Sequence, residues 1–185
     1  MRQIDQLKEE NTVLVVVDMQ EAFRNPMPDF AMIASRIAIA IRGFGVLELP
    51  VIVTEQYPAG LGCTVEELKL SMPESSRVIE KSTFSAYREP NFVETLKSVG
   101  RTQVVICGIE AHVCVQQTAY DLKNEGYDVH LLADCVSSRF EHDKAAALAR
   151  MQDFGVKTSS MEMALFELMI DSRHEKFKAV QSLLR

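Results

Sequence analysis

The chain has 185 residues, of which 47% are hydrophobic and 25% charged, and its net charge is -6 at pH 7. A chain of this length can bury one sizeable core, and this composition excludes a disordered or fibrous protein. Nucleic-acid binding needs a clustered basic surface, whereas the lysines and arginines here are scattered among a majority of acids. We therefore expect a small-molecule substrate and no nucleic-acid partner.

The sequence carries no recognisable targeting or membrane segment. No apolar run approaches the ~20 residues that span a bilayer, and residues 1–12 are polar where a signal peptide would be apolar. The four cysteines lack CxxC spacing and the density of a disulfide scaffold. We expect a cytoplasmic protein without membrane association, in which Cys63, Cys107 and Cys135 are small buried side chains.

Runs rich in β-branched residues alternate with amphipathic stretches along the whole chain. In chain order we predict strand 12–17, helix 30–44, strand 50–54, strand 77–80, helix 91–99, strand 103–107, helix 113–125, strand 128–132, helix 141–154, strand 156–158, helix 161–170 and helix 174–184. This alternation is typical of a mostly parallel sheet that is covered by helices on both faces. The prediction is one α/β domain over residues 1–185, a three-layer α/β/α sandwich with a Rossmann-like six-stranded sheet.

Three chemically complementary residues follow predicted strands. Ligands of open α/β sheets bind beyond the carboxyl ends of the strands, which is where Asp18, Lys81 and Cys114 fall. Cys114 is predicted in the first turn of its helix, where free N–H groups and the helix dipole favour a thiolate, and Lys81 would lower the thiol pKa further. Asp18 can accept the thiol proton and pass it to a leaving amine.

Each of these residues also has a purely structural interpretation. An aspartate after a strand often caps the next turn, a lysine at the end of an edge strand is often solvated, and a cysteine is often part of the core. Asp18, Lys81 and Cys114 are informative together, because they would supply a base, an activating cation and a nucleophile at one edge of the sheet.

The segments "VVVDMQEAF", "EKSTFSA" and "GIEAHVCVQQTAYDL" resemble, in order and spacing, the three active-site motifs of the isochorismatase-like cysteine hydrolases. The resemblance runs from about residue 11 to residue 158, and the segments "TEQYPAGLGCTVEEL" and "ADCVSSR" are most similar to the isochorismatase domain-containing branch. It implies the fold described above, with Asp18 as proton acceptor, Lys81 as activating cation and Cys114 as the nucleophile that forms an acyl intermediate.

The resemblance also implies a backbone arrangement before the cysteine. The family has a non-proline cis peptide in this loop, which maps to the bond between Ile109 and Glu110. The backbone N–H groups of Glu110 and Cys114 would then form the oxyanion hole.

One family feature is missing from the sequence. Metal-dependent nicotinamidases carry Asp-x-His after the second strand, whereas this chain reads Glu55-Gln56-Tyr57, and its histidines lack ligand spacing. We therefore expect no metal and no other cofactor. The substrate pocket is predicted to be lined by Phe23, Gln56, Tyr57, Phe84, Tyr87 and Glu110, with a core position as the alternative for Phe23 and Phe84.

Two functions from different classes follow from these residues. The first is a metal-independent cysteine hydrolase that cleaves a small amide, ester or related C–N bond through a Cys114 acyl intermediate. The alternative is a catalytically idle family member that acts as an oligomeric scaffold or a redox-sensitive thiol protein. Residues 161–170 are apolar nearly all round, which favours either a homo-oligomer (dimer, tetramer or larger) or a helix sandwiched in the core.

Overall fold

The computed structural model describes residues 6–184. Its strands are β1 (Thr12–Val17), β2 (Val51–Gln56), β3 (Arg77–Lys81), β4 (Gln103–Ile109), β5 (Asp128–Ser137) and β6 (Lys157–Ser159). Its α-helices are α1 (Phe30–Val46), α2 (Pro58–Leu61), α3 (Glu66–Lys69), α4 (Pro90–Val99), α5 (Gln116–Asn124), α6 (Glu141–Asp153), α7 (Met161–Met169) and α8 (Phe177–Leu183). Each predicted strand and helix is present, with shifted ends.

The strands form one six-stranded sheet in the order β3-β2-β1-β4-β5-β6, and each pair of neighbouring strands is parallel. From β1 the chain steps outward to β2 and β3, and then crosses to β4 on the other side of β1. The strand order therefore reverses between β1 and β4. The predicted Rossmann-like α/β sandwich is confirmed, and its ligand-binding crevice is expected at the carboxyl ends of these two strands.

Alternate residues of β1 point into two separate hydrophobic layers. Leu14 and Val16 pack with α1, α7 and α8 on one face of the sheet. Val13, Val15 and Val17 pack with α4, α5 and α6 on the other face. A parallel strand that is covered on both faces has no solvent side, which is why the run "TVLVVV" is apolar throughout.

Helix α7 buries one side and exposes the other. Leu165 and Leu168 lie in the core, whereas Met163 and Phe166 are exposed, as is Ile170 directly after the helix. An apolar surface of this kind is what a homo-oligomer would cover, and self-association stays a prediction. Among residues 6–184, no helix combines the length and apolar character needed to cross a bilayer.

Candidate active site

The structure brings Asp18, Lys81 and Cys114 together at the carboxyl edge of the sheet. Asp18 directly follows β1, Lys81 ends β3, and Cys114 lies in the turn that follows β4. The Lys81 Nζ atom is 2.7 Å from Asp18 Oδ2, and both side chains are buried. The Cys114 thiol is close enough to both groups for their charges to shift its pKa. A base, a cation and a nucleophile thus share one buried cluster.

Asp18 is fixed by its neighbour strand. Its backbone adopts a φ of 52°, and its N–H donates to the carbonyl of Thr54 in β2 at 3.1 Å. The Thr54 hydroxyl donates to Asp18 Oδ1 at 2.6 Å, which leaves Oδ2 for Lys81. A buried carboxylate needs this pairing, since an unpaired charge in the interior is costly.

Lys81 is held by more than its ion pair. Its ammonium donates to Gln56 Oε1 at 2.7 Å and to the carbonyls of Thr83 and Phe84 at 3.2 and 3.3 Å. These acceptors come from the end of β2 and from the loop after β3. The cation is therefore aimed at the cluster with little freedom to move.

Cys114 does not occupy the first turn of an α-helix, and this prediction is wrong. It lies in a π-helical turn, Ala111–Val115, which precedes α5. The carbonyl of Glu110 accepts hydrogen bonds from the N–H groups of both Val113 and Val115 in this wider turn. The extra turn could not be predicted, because the apolar spacing of this segment is that of an ordinary amphipathic helix.

The expectation of a depressed thiol pKa is also wrong for the free protein. Burial raises the pKa of the Cys114 thiol to about 12, and the negative charge of Asp18 adds to this increase. The positive charge of Lys81 lowers the pKa, by less than these two effects raise it. The resting group is therefore a thiol, and a base must remove its proton as the sulfur attacks.

Asp18→Asn is expected to lower the pKa of the Cys114 thiol, because it removes a negative charge and leaves Lys81 in place. Alkylation by iodoacetamide follows the thiolate fraction, so its rate at neutral pH should rise about tenfold for each unit by which the pKa falls. The asparagine amide can donate to the Thr54 hydroxyl, which can accept, so the local packing is retained.

The measurement is the alkylation rate of Cys114 against pH, followed by mass spectrometry of the labelled peptide. Cys107 and Cys135 are buried, whereas Cys63 is exposed, contrary to its predicted burial, and serves as an internal reference. An unchanged Cys114 rate in Asp18→Asn would show that the carboxylate does not control the thiol, and a slower rate would show that it acts as a base more than through its charge.

The segment before the nucleophile carries the other predicted features. The peptide bond between Ile109 and Glu110 is cis. The Glu110 carboxylate accepts from Nε and the backbone N–H of Arg139, at 3.0 and 3.1 Å. Among residues 6–184 the Glu110 N–H has no backbone acceptor. The side chain is thus engaged by Arg139, while the N–H is free of the backbone ladders.

The predicted pocket residues divide into two groups. Tyr57 and Phe84 follow β2 and β3 beside Lys81, and both are exposed, at 61% and 56%. Gln56 contacts Lys81 directly, and Phe23 is half-buried against the core. Gln56 therefore ends β2, and the other three residues lie on the segments that follow β1, β2 and β3.

Tyr87 belongs elsewhere, and its prediction as a pocket residue is corrected. Its ring packs edge-to-face against Tyr127 at 6.2 Å, and its hydroxyl is 3.5 Å from Glu125 Oε2. These residues line a cleft of about 430 Å³ at the amino-terminal ends of β4 and β5. Cys114 follows the carboxyl end of β4, so Tyr87 faces the opposite edge of the sheet.

Gln20, a fully buried amide beside the cluster, was not predicted from the sequence. Its Oε1 accepts from the N–H of Gln56 at 2.7 Å, and its Nε2 donates to the carbonyls of Gln56 and Gly62 at 3.0 and 2.6 Å. The available signal was its position two residues after Asp18, at the end of a buried strand.

The residues that replace the nicotinamidase metal pattern are engaged within the protein. The Glu55 carboxylate accepts from the N–H and hydroxyl of Thr64 at 2.6 and 2.7 Å. Within the described part of the chain, no group of three His, Cys, Asp or Glu side chains has a metal-binding arrangement. Glu55 thus anchors the loop that returns to β1.

Known proteins are similar to this chain in fold and in sequence. The isochorismatase domain model matches residues 12–163. Isochorismatase domain-containing protein 2 of Danio rerio is 41% identical and covers 100% of this chain and 92% of its own length. Isochorismatase domain-containing protein 1 of Salmo salar is 40% identical over 94% of this chain and 61% of its own length.

A solved structure described as the MAR1 ribonuclease from Caenorhabditis elegans has a TM-score of 0.93 at 39% identity, covering 97% of this chain and 92% of that one. The chain belongs to the isochorismatase domain family, whose members are hydrolases.

Proposed function

We propose that the protein is a metal-independent cysteine hydrolase that cleaves a small amide, ester or related C–N bond. The observation that carries the proposal is the buried Asp18–Lys81 ion pair, whose two charges both act on the buried Cys114 thiol. A base that contacts the nucleophile and is itself oriented by a third group is the arrangement that covalent catalysis requires.

In the first half of the proposed reaction, the Cys114 sulfur attacks the substrate carbonyl carbon while Asp18 takes the thiol proton. The carbonyl oxygen becomes an oxyanion, for which the N–H groups of Glu110 and Cys114 are the proposed donors. Each donor of this kind contributes about 3 kcal/mol to the transition state. The intermediate collapses when the C–N bond breaks and Asp18 returns the proton to the leaving amine, which leaves a thioester on Cys114.

In the second half, water attacks the thioester carbon while Asp18 accepts a proton from it. The C–S bond then breaks, the acid product leaves, and the proton returns to the sulfur. Because the raised pKa keeps the thiol protonated at rest, its proton must be removed during the attack, and the Asp18 carboxylate is the proposed base. Lys81 stabilises the negative charge that passes between Asp18 and the sulfur.

The scaffold alternative gives no physical reason for the cluster. A buried ion pair contributes little to stability, because desolvation offsets the attraction, and apolar residues of similar volume often serve as well. The Lys81–Asp18 pair is buried, and both of its charges act on the Cys114 thiol. Chemistry at Cys114 accounts for all three groups, so we favour the hydrolase.

The solved structure from Caenorhabditis elegans is described as a ribonuclease, and RNA is therefore a second substrate to consider. This chain carries a net charge of -6, and its candidate nucleophile lies in a buried site. RNA binding relies on basic or aromatic surfaces that engage phosphates and bases. The charge favours a small neutral substrate, and a cleavage assay on single-stranded RNA gives the direct comparison.

The proposal is tested by trapping the acyl intermediate. The protein is incubated with a library of small amides and esters, quenched in acid, and examined by mass spectrometry for an acyl adduct on the Cys114 peptide. We expect an adduct at Cys114 and none at the exposed Cys63. Turnover without any adduct at Cys114, or adducts in equal yield on both cysteines, would contradict a covalent intermediate.

A further inference from the structure

The Gln56 side chain joins Lys81 to the loop that follows β3. Its Oε1 accepts from Lys81 Nζ at 2.7 Å, and its Nε2 donates to the carbonyl of Ser82 at 2.8 Å. An ammonium can donate and not accept, and a carbonyl can accept and not donate, so these two partners fix the orientation of the amide. Gln56 therefore holds its oxygen against the cation.

The backbone of Gln56 is itself immobilised. Gln20 accepts from its N–H and donates to its carbonyl, and the same amide also donates to Gly62. Because Gln20 is fully buried, breaking these bonds would leave polar groups without partners in the interior. The two glutamines tie the ends of β1, β2 and β3 together around the ammonium.

The hydrogen bonds of Lys81 show how Gln56 limits the movement of the ammonium. The ammonium has three N–H donors, and its two 2.7 Å bonds go to Asp18 and Gln56. The third donor has the Thr83 and Phe84 carbonyls at 3.2 and 3.3 Å, and the charge of the ammonium acts on the Cys114 thiol. Two donors are thus committed, and the third is shared between weaker partners.

We infer that Gln56 is a positioning residue for Lys81, which holds the ammonium in place so that its charge stays beside the Cys114 sulfur when the thiolate forms. Without the amide oxygen, the freed donor would turn to the backbone carbonyls of the loop and draw the ammonium away from the sulfur. The inference rests on the activating role of Lys81 in the proposed function. The sequence predicted Gln56 as a residue that lines the substrate pocket, and the inference assigns it the support of Lys81 in place of that role.

The test is Gln56→Met, which keeps the length of the side chain and removes the acceptor. The readout is the iodoacetamide alkylation rate of Cys114 against pH, relative to Cys63 in the same sample. We expect the relative rate at neutral pH to fall about tenfold, the equivalent of one pKa unit. Gln152→Met, at an exposed position of α6, is the matched control and should leave the profile unchanged.

A second variant covers the case in which Gln56→Met does not fold. Gln56→Leu also removes the acceptor without adding a charge, and it should move the alkylation profile to higher pH for the same reason. A folded variant at position 56 that labels at the wild-type rate or faster would overturn the inference.

Lys81→Met separates this inference from the proposed function. If Lys81→Met slows the labelling of Cys114 and Gln56→Met does not, the inference on Gln56 fails and the role of Lys81 stands. If Lys81→Met labels like the wild type, the activating role of Lys81 fails, and the inference on Gln56 fails with it.

Discussion

Replacing Cys114 by alanine is expected to lower the hydrolysis rate at least about 10³-fold, the usual loss when the nucleophile of a covalent mechanism is removed. Asp18 and Lys81 would remain paired, but no sulfur would be left to attack the carbonyl carbon. Because the side chain is small, the free energy of unfolding should fall by about 1 kcal/mol. The measurements are turnover of a substrate found by adduct trapping and chemical denaturation of the same sample.

The matched control is Cys63→Ala, which changes an exposed cysteine and should leave turnover within about twofold of the wild type. If Cys114→Ala kept most of the activity, the remaining Asp18–Lys81 pair would have to act directly on the substrate or on water. Such a result would favour protonation of a bond such as a vinyl ether, and would rule out the thioester.

The strands and helices could be predicted because their patterns are local. The apolar run of β1 indicates a strand that is buried on both faces. The alternation of strands with helices along the chain indicates a parallel sheet. The end of β5 could not be predicted in this way. The strand continues from Leu132 to Ser137 through alanine, aspartate and cysteine, and its register to β4 shifts between Ile106 and Gly108. This irregularity depends on pairing between strands that are distant in sequence.

The candidate site was predictable to the extent that its residues follow strands. Asp18, Lys81 and Cys114 meet because parallel strands place their carboxyl ends at one edge. The thiol pKa was not predictable, since it depends on how burial and the Asp18 charge compare with the Lys81 charge. Tyr87 was misplaced because sequence proximity to Phe84 does not show that the chain turns back towards Tyr127.

Gly108→Ala is expected to prevent stable folding, although Gly108 has no proposed catalytic role. A Cβ atom at this position would lie 2.1 Å from the carbonyl oxygen of Val17 and 2.6 Å from its nitrogen. Both are backbone atoms of β1, in the middle of the sheet, where neither strand can move aside. The glycine also has a φ of 115°, which residues with side chains rarely adopt. The free energy of unfolding should fall by more than about 4 kcal/mol.

Gly126→Ala separates the effect of the steric clash from that of the backbone conformation. Gly126 has a φ of 89°, and a Cβ there would meet no atom within 4 Å, so this variant should lose about 1 kcal/mol. Soluble yield and chemical denaturation of both variants give the comparison. Equal stability of the two would show that β1 and β4 can separate at this point. A large difference would show that the pairing of β1 with β4 at this point requires the close approach of Gly108 to Val17.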